Sequence, residues 1–190
     1  PGCNPFRIRA HLQTEGLMLG RTVVTTICLL LPALTAQAQV APDRAKAAFE
    51  SLKKLTGTWA DASTQGWTGT HTIEVIAGGS AILSTSRIGP HPGQDESMAT
   101  LFHMDGDRLM LTHYCVARNQ PRLAATKISD DGRTIEFEFV DGTNMKSRDA
   151  GHMDRAIFTL ESADQYRSRW TFYQKGAERW MEEIVNKRRP

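Results

Sequence analysis

Cysteine is scarce in this sequence, with three among 190 residues. Cys3 and Cys28 both lie before position 39, in a stretch that we expect the mature protein to lose, and this leaves Cys115 alone. A single cysteine excludes an internal disulfide, even in an oxidising compartment. The fold must therefore depend on a packed core, for which a content of 40% hydrophobic residues is ordinary.

An excess of charge of one sign is also missing. The chain has 23 lysine and arginine residues against 21 aspartate and glutamate residues, and without residues 1–38, which hold three arginines and one glutamate, each sign has 20. This balance gives no electrostatic reason to expect a nucleic-acid partner. Glycine-rich nucleotide loops, His-Glu-x-x-His, Gly-x-Ser-x-Gly and EF-hand motifs are absent as well, so the sequence assigns no catalytic residue.

Long apolar runs are absent too. The longest, Val23–Leu34, is shorter than the roughly 20 residues of a transmembrane helix, so we expect no membrane span. Arg21 precedes this run and Ala36-Gln37-Ala38 follows it, a pattern typical of a secretory signal peptide. We therefore expect a periplasmic or secreted protein. The chain divides into an upstream extension (1–17), a signal peptide (18–38) and one domain (39–190).

The expected mature part begins with one predicted helix. Pro42 and Asp43 are residue types that start helices, and Gly57 ends the pattern. Between them, apolar residues recur three and four positions apart, at Ala45, Ala48, Phe49, Leu52 and Leu55. Because this spacing places them on one helix face, we expect the helix to cover one end of the domain.

After Gly57 the hydrophobic period changes to two, which indicates half-buried antiparallel strands. The clearest alternation covers residues 72–77, 81–88, 135–139, 156–160 and 166–173. Gly-Gly and Asp-Gly pairs punctuate these segments and favour hairpins. About ten strands result, and a sheet of that size tends to close on itself. The sequence thus predicts an all-β up-and-down antiparallel barrel, with a terminal helix over 178–187 as an alternative to the last strand.

Several short motifs are more specific than this pattern. They are Leu55-Thr56-Gly57-Thr58-Trp59, Leu111-Thr112-His113-Tyr114-Cys115, Asn119-Gln120-Pro121, Asn144-Met145 and His152-Met153. With them, the stretch from Phe49 to Arg188 resembles a family of exported bacterial lipocalin-like, or calycin-type, β-barrel domains of unassigned function. The resemblance implies a barrel with an internal pocket and no established reaction. It also implies an arginine packed across Trp59, for which Arg169, Arg179 and Arg188 are the candidates.

His113 and Cys115 are the sharpest candidate functional residues. They lie two positions apart in a predicted strand, so both side chains point to the same face. An imidazole and a thiolate suit zinc, copper or haem iron, and His152 is the candidate third metal ligand. One alternative is a Cys–His catalytic couple. Another is a plain core, with Cys115 as a small hydrophobe and His113 as a hydrogen-bonded polar group.

The predicted function is a binding protein that holds a small apolar or amphipathic molecule inside the barrel. The predicted ligand-binding residues are His113, Cys115, Gln120, Asn144, His152, Phe102, Phe137 and Trp170. One alternative is a metal- or haem-dependent barrel enzyme that uses His113 and His152, and another is a cell-envelope interaction module without a cavity. The sequence does not identify the ligand, a cofactor or the oligomeric state.

Overall fold

The domain is a closed antiparallel barrel of ten strands with one helix at its end. The computed structural model describes residues 40–88 and 97–190, and the predicted upstream extension and signal peptide lie outside the described residues. The helix is Pro42–Lys53 (α1). The strands are Gly57–Ser63 (β1), Thr68–Ile76 (β2), Ala81–Ile88 (β3), Ser97–Asp105 (β4), Arg108–Tyr114 (β5), Gln120–Ile128 (β6), Thr134–Thr143 (β7), His152–Leu160 (β8), Gln165–Gln174 (β9) and Ala177–Arg188 (β10).

Each strand pairs with the next along the chain, and β10 pairs with β1 to close the sheet. The predicted up-and-down barrel with an N-terminal helix is thereby confirmed. The segment for which a terminal helix was the alternative is a strand, because it lies between β9 and β1 and pairs with both. Closure removes the unpaired edges that an open sheet would present to other chains.

Helix α1 covers the end of the barrel at which β6 turns into β7. Pro42 stands in the first turn of α1, where its missing N–H is tolerated. The apolar face of the helix is buried through Ala45, Ala48, Phe49 and Leu52. The Arg44 guanidinium fixes the helix to that turn by donating to the carbonyl oxygens of Ile128 at 2.9 Å and Ser129 at 2.7 Å. This end is therefore closed, and we call the opposite end the mouth.

Aromatic side chains fill one half of the interior. The ring centroids of Phe102 and Phe158 are 5.4 Å apart, those of Phe102 and Phe137 are 6.1 Å apart, and those of Phe158 and Trp170 are 5.7 Å apart. All of these pairs meet edge to face, the arrangement that aromatic quadrupoles favour. Leu123, Ile135 and Phe137 are fully buried on β6 and β7. The side of the barrel that contains these two strands is consequently solid.

Arg188 is the arginine that packs across Trp59. Its guanidinium carbon lies 4.4 Å from the centre of the Trp59 ring, and Trp59 is completely buried. Arg188 Nη1 also donates to the Thr56 carbonyl oxygen at 2.7 Å. Gly57 has φ 137°, and a Cβ there would lie 2.6 Å from Arg188 Nη1, so the glycine of the Gly-x-Trp motif makes room for the arginine.

Replacing Arg188 by methionine should lower the free energy of unfolding by about 2 kcal/mol, because the charged donors and the cation–π contact are lost together. Urea denaturation measures this change. Lys187→Met is the matched control, since Lys187 is the exposed neighbour on the same strand. Equal stability of the two variants would contradict a role of Arg188 in barrel closure.

Among residues 40–88 and 97–190, no helix has both the length and the apolar character required to span a bilayer.

Candidate functional site

The half of the interior that the aromatic side chains leave free forms a partly enclosed cavity of about 90 Å³. Its described wall comes from the end of α1, from β1 to β5 and from β8 to β10. No described wall residue belongs to β6 or β7, because these strands face the solid half. The volume is room for about six water molecules or one ring-sized apolar group.

The deep part of the wall contains a chain of three polar side chains. Asp61 Oδ1 and His71 Nδ1 are 2.7 Å apart, and His71 Nε2 and the Tyr166 hydroxyl oxygen are 2.6 Å apart. Because a carboxylate only accepts hydrogen bonds, His71 Nδ1–H donates to Asp61, and Nε2 shares a hydrogen bond with the Tyr166 hydroxyl. Burial raises the pKa of Tyr166 well above its ordinary value, and the Asp61 charge adds to the effect. Each of these three side chains thus has a hydrogen-bond partner within the group.

His113 differs from these three side chains, because only one of its two ring nitrogens has a hydrogen-bond partner among the described residues. Nδ1 lies 2.9 Å from the Thr100 hydroxyl oxygen, whereas the buried Nε2 has no hydrogen-bond partner among residues 40–88 and 97–190. The residue is 5% exposed and lies on the cavity wall beside Trp170, with the two ring centroids 5.0 Å apart. Desolvation lowers the pKa of His113 from 6.5 to about 4, so the ring is neutral at pH 7. Nε2 is thus a free hydrogen-bonding position beside an apolar cavity.

Glu182 places a carboxylate on the wall opposite His113. The two strands that carry these residues, β10 and β5, are five positions apart in the ten-strand ring. Glu182 Oε2 accepts hydrogen bonds from the Ser63 hydroxyl at 2.8 Å and from Trp67 Nε1 at 2.9 Å. Both donors belong to the β1–β2 hairpin at the mouth. The Glu182 side chain therefore faces the outer part of the cavity.

Only some of the residues predicted to bind ligand line this cavity. His113, Phe102 and Trp170 do, and Phe137 packs behind them in the aromatic half. The other four, which do not line it, are Cys115, Gln120, Asn144 and His152. Gln120 Oε1 instead accepts hydrogen bonds from the Thr143 hydroxyl at 2.6 Å and from Asn144 Nδ2 at 3.0 Å, which ties the β7–β8 loop to β6.

His152 is fully buried in a separate cluster at the mouth end. Its Nδ1–H donates to the Ala150 carbonyl oxygen at 2.5 Å, and its Nε2 accepts from Arg148 Nη1 at 2.5 Å. The Arg148 guanidinium is held between the rings of Phe139 and Tyr173, at 4.4 and 4.1 Å from their centres. Both His152 nitrogens are thus occupied in fixing the loop before β8.

The structure does not bring His113, Cys115 and His152 together as a metal site. In the part of the chain that the structure describes, no three His, Cys, Asp or Glu side chains come together as a metal site. Strand β5 ends at Tyr114, and Cys115 lies in the following turn, where its N–H donates to the Asn119 carbonyl oxygen at 3.2 Å. Burial raises the pKa of the Cys115 thiol, which disfavours the thiolate that metal binding or nucleophilic attack requires.

Sequence reasoning missed four of the polar residues of the cavity wall, Asp61, His71, Tyr166 and Glu182. Asp61, His71 and Glu182 each stand two positions from a buried or cavity-lining hydrophobic residue of the same strand, as in Trp59-Ala60-Asp61 and His71-Thr72-Ile73. A polar residue at an inward position of an alternating strand is the signal that identifies them.

No protein-family model matches the chain, and no curated protein matches it significantly. Among solved structures, the chain is similar to a redesigned beta barrel, b11L5F_LGL, with 12% identity and a TM-score of 0.37, covering 77% of this chain and 96% of that one. It is also similar to EF1p2_mFAP2b bound to DFHBI, with 11% identity and a TM-score of 0.36, covering 75% of this chain and 99% of that one. Neither likeness carries a ligand or an activity over to this chain.

The lowered pKa of His113 predicts a loss of stability in acid. His113 binds a proton near pH 6.5 in the unfolded chain and only near pH 4 in the folded protein, so its contribution to stability is fully present above pH 7 and is lost as the pH falls from 6.5 to 4. At pH 4.5 the loss attributable to this residue should be about 2 to 3 kcal/mol. Urea denaturation of the wild type and of His113→Gln at pH 7 and pH 4.5 measures it.

His103→Gln is the control, because His103 lies on β4 outside the cavity wall. It should retain the wild-type pH dependence, whereas His113→Gln should be less sensitive to acid. The same acid sensitivity in all three proteins would contradict the assignment.

Proposed function

We propose that this chain is an exported, lipocalin-like barrel that binds a small apolar or amphipathic molecule in the cavity. The observation that carries the proposal is the unpartnered Nε2 of His113 on the wall of an otherwise largely apolar cavity. A buried polar atom without a partner costs about 1 to 3 kcal/mol. A ligand hydroxyl or carbonyl beside Nε2 would offset this cost.

The rest of the wall supports the same kind of ligand. Ile73, Ile82, Phe158 and Trp170 offer apolar contact, and Ser84 presents a small polar group on β3. Small-molecule sites typically combine such an apolar lining with a few polar groups that fix orientation. The cavity volume sets the size of the buried part at about one ring, with any longer portion of the molecule at the mouth.

Export is the second part of the proposal, and it rests on the sequence alone. A positive residue, a short apolar run and Ala36-Gln37-Ala38 form the signal pattern over 18–38. Intact mass measurement of the chain recovered from a bacterial periplasm tests it. A mass that corresponds to a chain starting at Gln39 is expected, and an unprocessed chain in the cytoplasm would contradict export.

Filling the cavity should weaken binding. Ser84→Phe places a ring in the empty half of the barrel, and we expect its affinity for the neutral probe 2-phenylethanol to fall about ten-fold or more. Two-dimensional NMR titration of isotope-labelled protein measures this affinity, with the Trp170 indole N–H as the reporter inside the cavity.

Thr85→Phe is the matched control, because Thr85 is the next residue on β3 and is exposed on the outer face. It adds the same ring outside the barrel and should leave the affinity unchanged. Equal probe affinity in the wild type and in Ser84→Phe would contradict the proposed function. Comparison of native and denatured masses of the purified protein then tests for a molecule carried from the cell.

A further inference from the structure

The charged groups on the cavity wall are all of one sign. Asp61 and Glu182 both line the cavity, and each is 7% exposed. No lysine or arginine is among the described residues of the wall. Acidic and basic residues are equal in number over residues 39–190, so the excess of acidic side chains is a local property of the cavity wall.

The two carboxylates differ in what surrounds them. Asp61 accepts the Nδ1–H of His71, which belongs to the satisfied chain that ends at Tyr166. Glu182 accepts its hydrogen bonds from two neutral donors, the Ser63 hydroxyl and the Trp67 indole. Within residues 40–88 and 97–190, no ion pair joins Glu182 to a basic side chain; the neighbouring Glu183, by contrast, pairs with Arg167 at 2.7 Å.

Two tryptophans neighbour Glu182. The Trp67 indole is hydrogen-bonded to it, and Trp170 is its direct partner across the β9–β10 pair. Both tryptophans line the cavity, as Glu182 does. Directly opposed residues on one face of a sheet have Cβ atoms about 5 Å apart. A buried carboxylate attracts an organic cation, and indole rings on the same wall offer it apolar contact and faces that carry partial negative charge.

We propose that the molecule bound in this cavity is a small organic cation: a protonated amine attached to an apolar body of about one ring. The ammonium group lies at Glu182, near Trp67 and Trp170, and the apolar body reaches toward Ile73 and Ile82, with any hydroxyl or carbonyl on it directed to Nε2 of His113. This inference rests on the proposed binding function. A buried carboxylate served only by neutral donors gains most from a charge-assisted hydrogen bond, and it repels an anionic ligand.

Three probes that share one apolar body test this proposal: 2-phenylethylamine, 2-phenylethanol and phenylacetate. They are cationic, neutral and anionic at pH 7, and NMR titration gives the affinity of each. For the wild type, we expect 2-phenylethylamine to bind at least about ten-fold more tightly than 2-phenylethanol, and phenylacetate to bind most weakly.

Glu182→Gln removes the charge and keeps an oxygen that can accept from Ser63 and Trp67, so the fold and the cavity are retained. In this variant, the preference for the amine over the alcohol should disappear. Glu183→Gln is the control, since it removes a carboxylate from the adjacent outward position of the same strand, and it should keep the wild-type preference.

The outcomes separate this inference from the function on which it rests. If the amine and the alcohol bind equally well to the wild type, or if Glu182→Gln keeps the preference, the cation proposal is wrong and the binding function stands. If none of the three probes binds and Ser84→Phe behaves as the wild type does, both proposals fail.

Discussion

The pairing of the first strand with the last is the interaction on which the rest of the molecule depends. Trp59 and Arg188 are register partners in that pair, and the guanidinium packed on the indole fixes the point at which the sheet closes. Asp61 lies on one side of this junction, and Glu182 and Asn186 lie on the other. The polar wall of the cavity therefore exists only when the barrel is closed, because its members come from opposite ends of the chain.

Closure alone does not leave a cavity, since small barrels often fill their interiors with side chains. Here the large rings are concentrated on one side, where Phe102, Phe137, Phe158 and Trp170 pack together. The facing wall has small residues such as Ser84 and Ser86 on β3. The unequal distribution of side-chain volume produces the open space, and it also places His113 at the boundary between the two halves.

The fold followed from hydrophobic periodicity, whereas most of the site did not. Apolar spacing of three and four predicted α1, and alternation with Gly-Gly and Asp-Gly turns predicted an up-and-down barrel. Among the ligand-binding predictions, His113 lines the cavity, but His152 does not. A β-bulge between Met153 and Arg155 shifts the alternation in β8, so Met153 lines the cavity and His152 does not, which residue spacing alone did not reveal.

The polar wall was hidden for a different reason. Alternation identifies inward positions by their hydrophobic residues, whereas Asp61, His71 and Tyr166 occupy inward positions as hydrogen-bonded polar residues. The pair of His71 and Tyr166 joins residues 95 positions apart, a separation that local patterns do not reveal. Cys115 is the opposite case. The local pattern predicted that it lies in a strand and faces the interior, but β5 ends one residue earlier, at Tyr114.

The interior has a solid half and an open half, and substitutions have different effects in each. Substitutions among the packed rings of β7 and β8 cost stability, because they leave voids or force overpacking. Substitutions at Ser84, Ser86 or Glu182 change the shape and charge of space that is already empty, so they cost less. The open wall can therefore change in shape and charge by mutation, while the solid half preserves the fold.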